Sequence, residues 1–352
     1  MVVPRRTPAG AVAAAAFALA LVVTGCGTTE VDAAAPEPSA PASGSCAEDT
    51  TETASGPVSL VDGVGRTVEL DRPAERIAVL EWQEVEDALT LCVTPVAVAD
   101  PEGYSTWVSA EKLPEGVADV GTREEPDATA LFAADPDLVI IEGFTDDDEA
   151  IAQFERQGVP VLVARGNDPE DPVGNMKDVF SLIAEATGRT ERAEQVLAEF
   201  DAHLAERKAE VAALDLPTTD FLFFDGWIQG GNLSLRPYTE GSLFIELGKE
   251  LGLDPAWDAD VNDSHGTGGL NAEYGLAQTD IEGLTAVGDA NLFFSNGDTT
   301  GYVDALEESE LWTSLPAVEE GRAYEFPLVW GAGGPRSTLQ AVDAFADALT
   351  GE

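Results

Sequence analysis

The chain has 352 residues, with 18 Lys and Arg against 66 Asp and Glu, a formal charge of −48 with both His neutral. Neutralising phosphates takes clustered Lys and Arg, so this balance argues against nucleic-acid binding and against electrostatic attachment to an anionic bilayer. Hydrophobic residues make up 44% of the sequence, enough for ordinary cores, and the length exceeds what one core usually supports, so two domains are expected.

At the N-terminus Arg5 and Arg6 precede an apolar stretch from Ala11 to Val23, then small residues and Cys26. A positive start, a short apolar run and small residues before a cysteine read as a secretory signal with a lipoprotein cleavage box. The run falls short of the roughly 20 residues that span a bilayer. Residues 1–25 are therefore expected to be cleaved, leaving Cys26 lipidated. Residues 26–57 are rich in Gly, Ser, Thr, Ala, Pro and Glu, with Val31 as the large aliphatic residue, and read as a disordered tether. Cys46 and Cys92 then remain as a pair in an oxidising compartment, and a disulfide pinning the tether to the first lobe is expected.

From Val58 onward apolar runs alternate with amphipathic stretches. The runs are Ile77–Leu80, Pro95–Ala99, Leu138–Glu142 and Pro160–Ala164, with helices expected near 83–92, 127–134 and 146–157. A second series comprises Phe221–Asp225, Asn291–Ser295 and Ala323–Pro327. Continuous apolar strands alternating with helices indicate parallel sheets covered on both faces. Between the series, Thr190 to Leu214 lacks Pro and Gly, and Ala193, Leu197, Phe200, Leu204 and Val211 recur at helical spacing. The chain is thus expected to hold an α/β lobe over 58–189, a linking helix over 190–214 and a second α/β lobe over 215–352. Ligands of paired α/β lobes sit between them, at the carboxyl ends of the strands.

No GxSxG, HExxH, GxxxxGK[ST] or GxGxxG motif is present, so no enzyme class is indicated. Asp258, Asp260 and Asn262 begin like a calcium loop, but Asp263 stands where glycine is needed and Gly269 where the bidentate Glu belongs. With His203 and His265 the only imidazoles, direct binding of a bare metal ion is not expected. The candidates for a cleft are aromatics and arginines just after strands: Trp82, Tyr104, Trp107 and Arg123 in the first half, Trp227, Arg236, Tyr274 and Trp330 in the second. Aromatic walls suit a bulky, partly apolar ligand, and arginine an oxygen-rich group.

These residues resemble a known family, the siderophore-binding lipoproteins of iron-uptake ABC transporters, and among them the ferric hydroxamate and ferric citrate binders. The similar passages include Arg76–Trp82, Pro95–Asp100, Gly103–Val108, Asp119–Pro126, Ser242–Phe244, Leu251–Trp257, Leu311-Trp312, Leu315-Pro316 and Val329-Trp330 with Gly333–Pro335. They occur in order from Val58 to the C-terminus. The resemblance implies two Rossmann-like lobes joined by a single long helix, the class III periplasmic-binding-protein architecture, holding a ferric siderophore between the lobes and delivering it to a permease. It places Arg123 against the iron-chelating oxygens and Trp107, Tyr274 and Trp330 in the pocket wall. It places Glu282 at the permease, while the matching first-lobe position is Thr129, with Asp127, Glu124 and Glu125 beside it.

The expected protein is a monomeric, non-enzymatic, extracytoplasmic lipoprotein anchored to the cell membrane through its lipid, with a ferric siderophore as ligand and no cofactor. Haem or a corrinoid is the alternative ligand, with His265 or Tyr274 as axial candidates. The charge disfavours strongly anionic ferric complexes and suits neutral or cationic hydroxamates.

Overall fold

The structure, a computed structural model, describes residues 44–297 and 301–351. The expected signal peptide, Cys26 and residues 27–43 of the expected tether lie outside the described residues.

Residues 44–57 correct the reading of 26–57 as a disordered tether throughout. Gly44–Glu48 form a 3-10 helix, and Cys46 is disulfide-bonded to Cys92 with the Cα atoms 5.6 Å apart. Beyond it the buried Arg189 side chain pairs with Asp49 and donates to the carbonyls of Thr51 and Leu91 at 3.2 and 2.9 Å. The Ala54 amide donates to Gly188 O at 2.8 Å. A segment with too little apolar surface to fold alone is thus held by a cross-link and polar bonds.

The first lobe opens with an antiparallel hairpin, β1 (Val58–Val61) and β2 (Thr67–Leu70), paired Val58 to Leu70. A parallel sheet follows: β3 (Ile77–Val79), β4 (Ala97–Val98), β5 (Ala118–Asp119), β6 (Leu138–Gly143) and β7 (Val161–Arg165), in the order β5-β4-β3-β6-β7. The central strands β3 and β6 are buried on both faces except for Glu142, as their unbroken apolar runs require. The helices Trp82–Thr90, Ala128–Ala133 and Glu149–Glu155 lie where helices were expected. Asp148 caps the last of these, accepting from the Ala150 amide at 2.8 Å, which gives the acidic run there a structural task.

The second lobe is built on β8 (Asp220–Gln229), β9 (Asn232–Pro237), β10 (Asp254–Pro255), β11 (Asn291–Ser295) and β12 (Ala323–Phe326), in the order β10-β8-β11-β12. These pairings are parallel, and β9 adds antiparallel to β8. β8 therefore has two characters. Its apolar start, Phe221–Phe224, is buried in the sheet, and its half-buried continuation to Gln229 forms a hairpin with β9. Gly230 and Gly231, both at positive φ (60° and 85°), make the two-residue turn.

The linking helix runs from Thr190 to Ala212. Its inner face is Ala193, Val196, Phe200, Leu204 and Val211, with Leu197 half-buried beside them. Ala193 and Val196 belong to the first-lobe core, whereas Phe200, Leu204 and Val211 belong to the second-lobe core. The two-lobed α/β architecture with one long connecting helix is the one expected.

Candidate ligand-binding cleft

In each sheet the strand order reverses at a switch point, where the ends of neighbouring strands diverge and leave a crevice. In the first lobe this lies between β3 and β6, and in the second between β8 and β11. The sequence places a carboxylate at each: Glu81 just beyond β3, Glu142 in β6, and Asp225 where β8 leaves the parallel sheet.

Glu81 adopts an extended backbone (φ −135°, ψ 152°) and caps the helix Trp82–Thr90 by accepting from the Trp82 amide at 2.7 Å. Both its oxygens also accept from Arg123 Nη1, at 2.7 and 2.8 Å. The Arg123 guanidinium lies over the Trp82 ring at 3.9 Å and 5.5 Å from Trp330. Burial raises the Glu81 carboxyl above its usual range, and Arg123 opposes that shift. Across the cleft Arg236 grips Asp225 through two nitrogens, Nε to Oδ1 at 2.8 Å and Nη2 to Oδ2, a fork geometry suited to carboxylate.

Three contacts tie the lobes together at the cleft. The Tyr274 hydroxyl donates to Glu142 Oε1 at 2.6 Å, and its ring meets Phe144 edge-on at 5.8 Å. Asn167 Nδ2 donates to the carbonyls of Gly241 and Glu273 at 2.8 and 2.6 Å. Glu86, buried in the helix Trp82–Thr90, accepts from the Ser337 amide at 2.8 Å and from its hydroxyl, at the start of the C-terminal helix Pro335–Thr350. Burial pushes Glu86 and Glu142 up to about 7, the latter helped by the negative charge of Glu81. Glu84 and Asp87, fully buried on the same helix, are also held well above the usual carboxylate range by burial.

Between these contacts lies a cavity of about 280 Å³ walled by Arg123, Glu142, Arg236, Tyr238, Tyr274 and Trp330. Small-molecule sites run from roughly 300 to 1,000 Å³, so a compact organic ligand or chelate suits the space and a polymer does not. A smaller cavity beside it adds Trp107 to Arg236, Tyr238 and Trp330.

A model of the periplasmic binding protein family matches residues 77–328. The chain belongs to that family. The iron(3+)-hydroxamate-binding protein FhuD of Escherichia coli K12 is 27% identical over 281 residues, covering 79% of this chain and 88% of FhuD. The Fe(3+)-citrate-binding protein YfmC of Bacillus subtilis is 24% identical over 264 residues, covering 75% and 76%. Among solved structures, FhuD of Vibrio cholerae with Fe3+-Desferal bound aligns with a TM-score of 0.64 at 24% identity, over 78% of this chain and 97% of that one. The triscatecholate siderophore-binding protein FeuA of Bacillus subtilis, complexed with ferri-bacillibactin, aligns with a TM-score of 0.63 at 20% identity, over 84% and 98%. These family members share the two-lobed α/β fold with this chain.

The fold brings Arg123, Tyr274, Trp330 and Arg236 to one cavity and Trp107 to its neighbour. Trp82 is 4% exposed and lies behind the wall, its ring under Arg123 and 4.8 Å from Trp330. Tyr104 is a correction. It is fully buried and donates to the Glu111 carbonyl at 2.8 Å, because the helix Pro101–Trp107 turns this residue into the first-lobe core. Trp227 stands on the β8–β9 hairpin, 5.9 Å from Arg236 and outside the main cavity wall. Glu282 is exposed on the 3-10 helix Ile281–Ala286.

Glu142, Asp225 and Tyr238 were not read as site residues from the sequence. For Glu142 and Asp225 the signal was a charged residue closing an apolar strand, LVIIE and FLFFD, which also fits an ordinary strand end facing water; Tyr238, just past the half-buried strand β9, carried no such signal.

Proposed function

We propose that this family member is the extracytoplasmic binding component of an ABC importer for ferric siderophores, with hydroxamates favoured. The observation that carries the reading is Arg123 at the cavity wall. It commits only Nη1 to Glu81, and among the described residues Nε and Nη2 have no protein partner. Stacking on Trp82 fixes the guanidinium plane, so these donors are pre-set for the oxygens of a chelate. Trp330, with its buried Nε1 unpartnered, and Tyr274 supply apolar wall for the ligand's backbone. The names of the relatives support the ligand class.

No catalytic step is proposed, since the family consists of binding proteins and binding is what the cavity residues can do. A haem or corrinoid ligand has no support: His265 is exposed at the end of the helix Ala259–His265 and absent from the cavity wall, and the Tyr274 hydroxyl is committed to Glu142. Permease docking is assigned to Glu282 in the second lobe. In the first lobe Asp127 already caps its helix through the Thr129 and Ala130 amides, at 2.8 and 3.2 Å, and Thr129 is neutral, which leaves Glu124 and Glu125 for that role. Anchoring is assigned to lipid on Cys26, and the protein to a monomer.

Titration of tryptophan fluorescence with ferric hydroxamate, citrate and catecholate complexes tests the reading. Saturable quenching is expected with hydroxamates. Absence of quenching with all three classes overturns it.

A further inference from the structure

We propose that the cleft selects ferric hydroxamates carrying a cationic arm, and that Glu142 is the residue that reads the positive charge. This deepens the ferric-siderophore reading and rests on it.

The charges around the cavity are the starting point. Glu81, Arg123, Glu142 and Arg236 all line it. Each arginine already meets a carboxylate, Arg123 with Glu81 and Arg236 with Asp225. Glu142 has no cation within ion-pairing distance among the described residues; its hydrogen-bond partner is the neutral Tyr274 hydroxyl on Oε1. The unmatched charge of the wall is therefore negative and belongs to Glu142. Three hydroxamate anions neutralise one ferric ion, so the chelate core has no net charge and an amine-bearing arm makes the whole complex cationic. Tris-catecholate and citrate complexes are anionic and meet repulsion at the same carboxylate.

The surroundings hold Glu142 for such a role. A Cβ on Gly166 would lie 2.6 Å from Glu142 Cδ and 2.7 Å from the Tyr274 hydroxyl oxygen, so the bare backbone at Gly166 is what lets the two side chains meet. Phe144, 38% exposed, stands edge-on to Tyr274 beside them. Together they offer aromatic surface for the methylenes and ammonium of an arm. Gln83, 7% exposed, also lines the cavity, and its side-chain amide is a donor suited to a chelate carbonyl rather than to the cation.

Selection should follow pH. The groups acting on Glu142 are Glu81 and Arg123 from its own lobe and Tyr274 and Glu273 from the other, with Glu84 on the neighbouring helix. Since the Glu142 carboxyl titrates near 7, a cation binds its ionised form and displaces the proton. Preference for the cationic ligand should therefore grow from pH 6 to pH 8 and level off above.

The test uses the whole protein and two probes: ferric Desferal, whose terminal primary amine is protonated at neutral pH, and the same chelate N-acetylated. Wild type is expected to bind the amine form roughly 10- to 100-fold more tightly at pH 7.5, the range of one charge-assisted hydrogen bond. In Glu142→Gln the ratio of the two dissociation constants should fall to about one. The pH series on wild type gives a second reading independent of the variant's folding. Equal binding of both probes by wild type, or a preference that persists in Glu142→Gln, overturns the assignment to Glu142 while leaving the siderophore reading standing. Binding of neither probe overturns the hydroxamate reading itself.

Discussion

The two sides of the cleft are built on opposite plans. The first-lobe side is acidic in depth: Glu81 and Glu142 face the cavity, and Glu84, Glu86 and Asp87 lie buried behind them, all with carboxyls raised by burial. The second-lobe side has one carboxylate at the cavity edge, Asp225, matched by both forks of Arg236. Behind it Phe223 packs edge-on against Tyr238, Phe244 and Phe326, with ring centroids 4.6 to 5.0 Å apart. The difference separates two tasks. The first lobe carries groups that respond to protons and an arginine with spare donors, whereas the second supplies a matched ion pair and a stiff aromatic backing.

The largest expected effect is on pH-dependent stability. Glu86 is at 4.5 when unperturbed and about 7 in the fold. A carboxyl raised on folding stabilises fully below the unfolded value, and that contribution is lost as pH rises through the folded one. Stability should therefore fall between about pH 4.5 and pH 8, by up to about 3 kcal/mol for this group. Glu86→Gln should flatten the slope by one proton, read by chemical denaturation at several pH values. An unchanged slope breaks the contrast between the sides.

Arg123→Ala should weaken ferric hydroxamate binding by roughly 1.5–3 kcal/mol through loss of a charge-assisted bond, measured by fluorescence titration. Arg236→Ala sharpens the comparison. It should lower stability by about 1 kcal/mol, since the pair is part-exposed, and weaken binding less than Arg123→Ala does; the reverse order of affinities would show that Arg236 is the ligand-reading arginine. Tyr274→Phe should cost about 0.5–1 kcal/mol of stability by removing one cross-lobe hydrogen bond, visible as a small drop in melting temperature.

Much of this arrangement was legible in the residues. Strands buried on both faces announce themselves as unbroken apolar runs, and Ile77–Val79, Leu138–Gly143 and Asn291–Ser295 lie where those runs are. β5 and β10, two residues each, are too short to show any period. β9 was missed because its alternation is half-buried, although Gly230-Gly231 marks its turn. At the site, Arg123, Tyr274 and Trp330 stood out as residue types that a core does not call for. Tyr104 did not differ from them in sequence, and only packing decides that it points inward. The buried carboxylates were illegible for the same reason, since WQEVEDALT reads as an amphipathic helix until the C-terminal helix arrives, 251 residues later in sequence, to cover it.

The interlocking of the lobes bears on how the molecule unfolds. Met176 comes from the first half of the chain yet packs in the second-lobe core, and Trp330 comes from the second half yet packs against the first-lobe core. The linking helix contributes a face to each. Melting either lobe strips apolar surface from the other, so neither has a stability of its own. The folded body should come apart in one calorimetric transition, and an excised lobe should not hold its native structure.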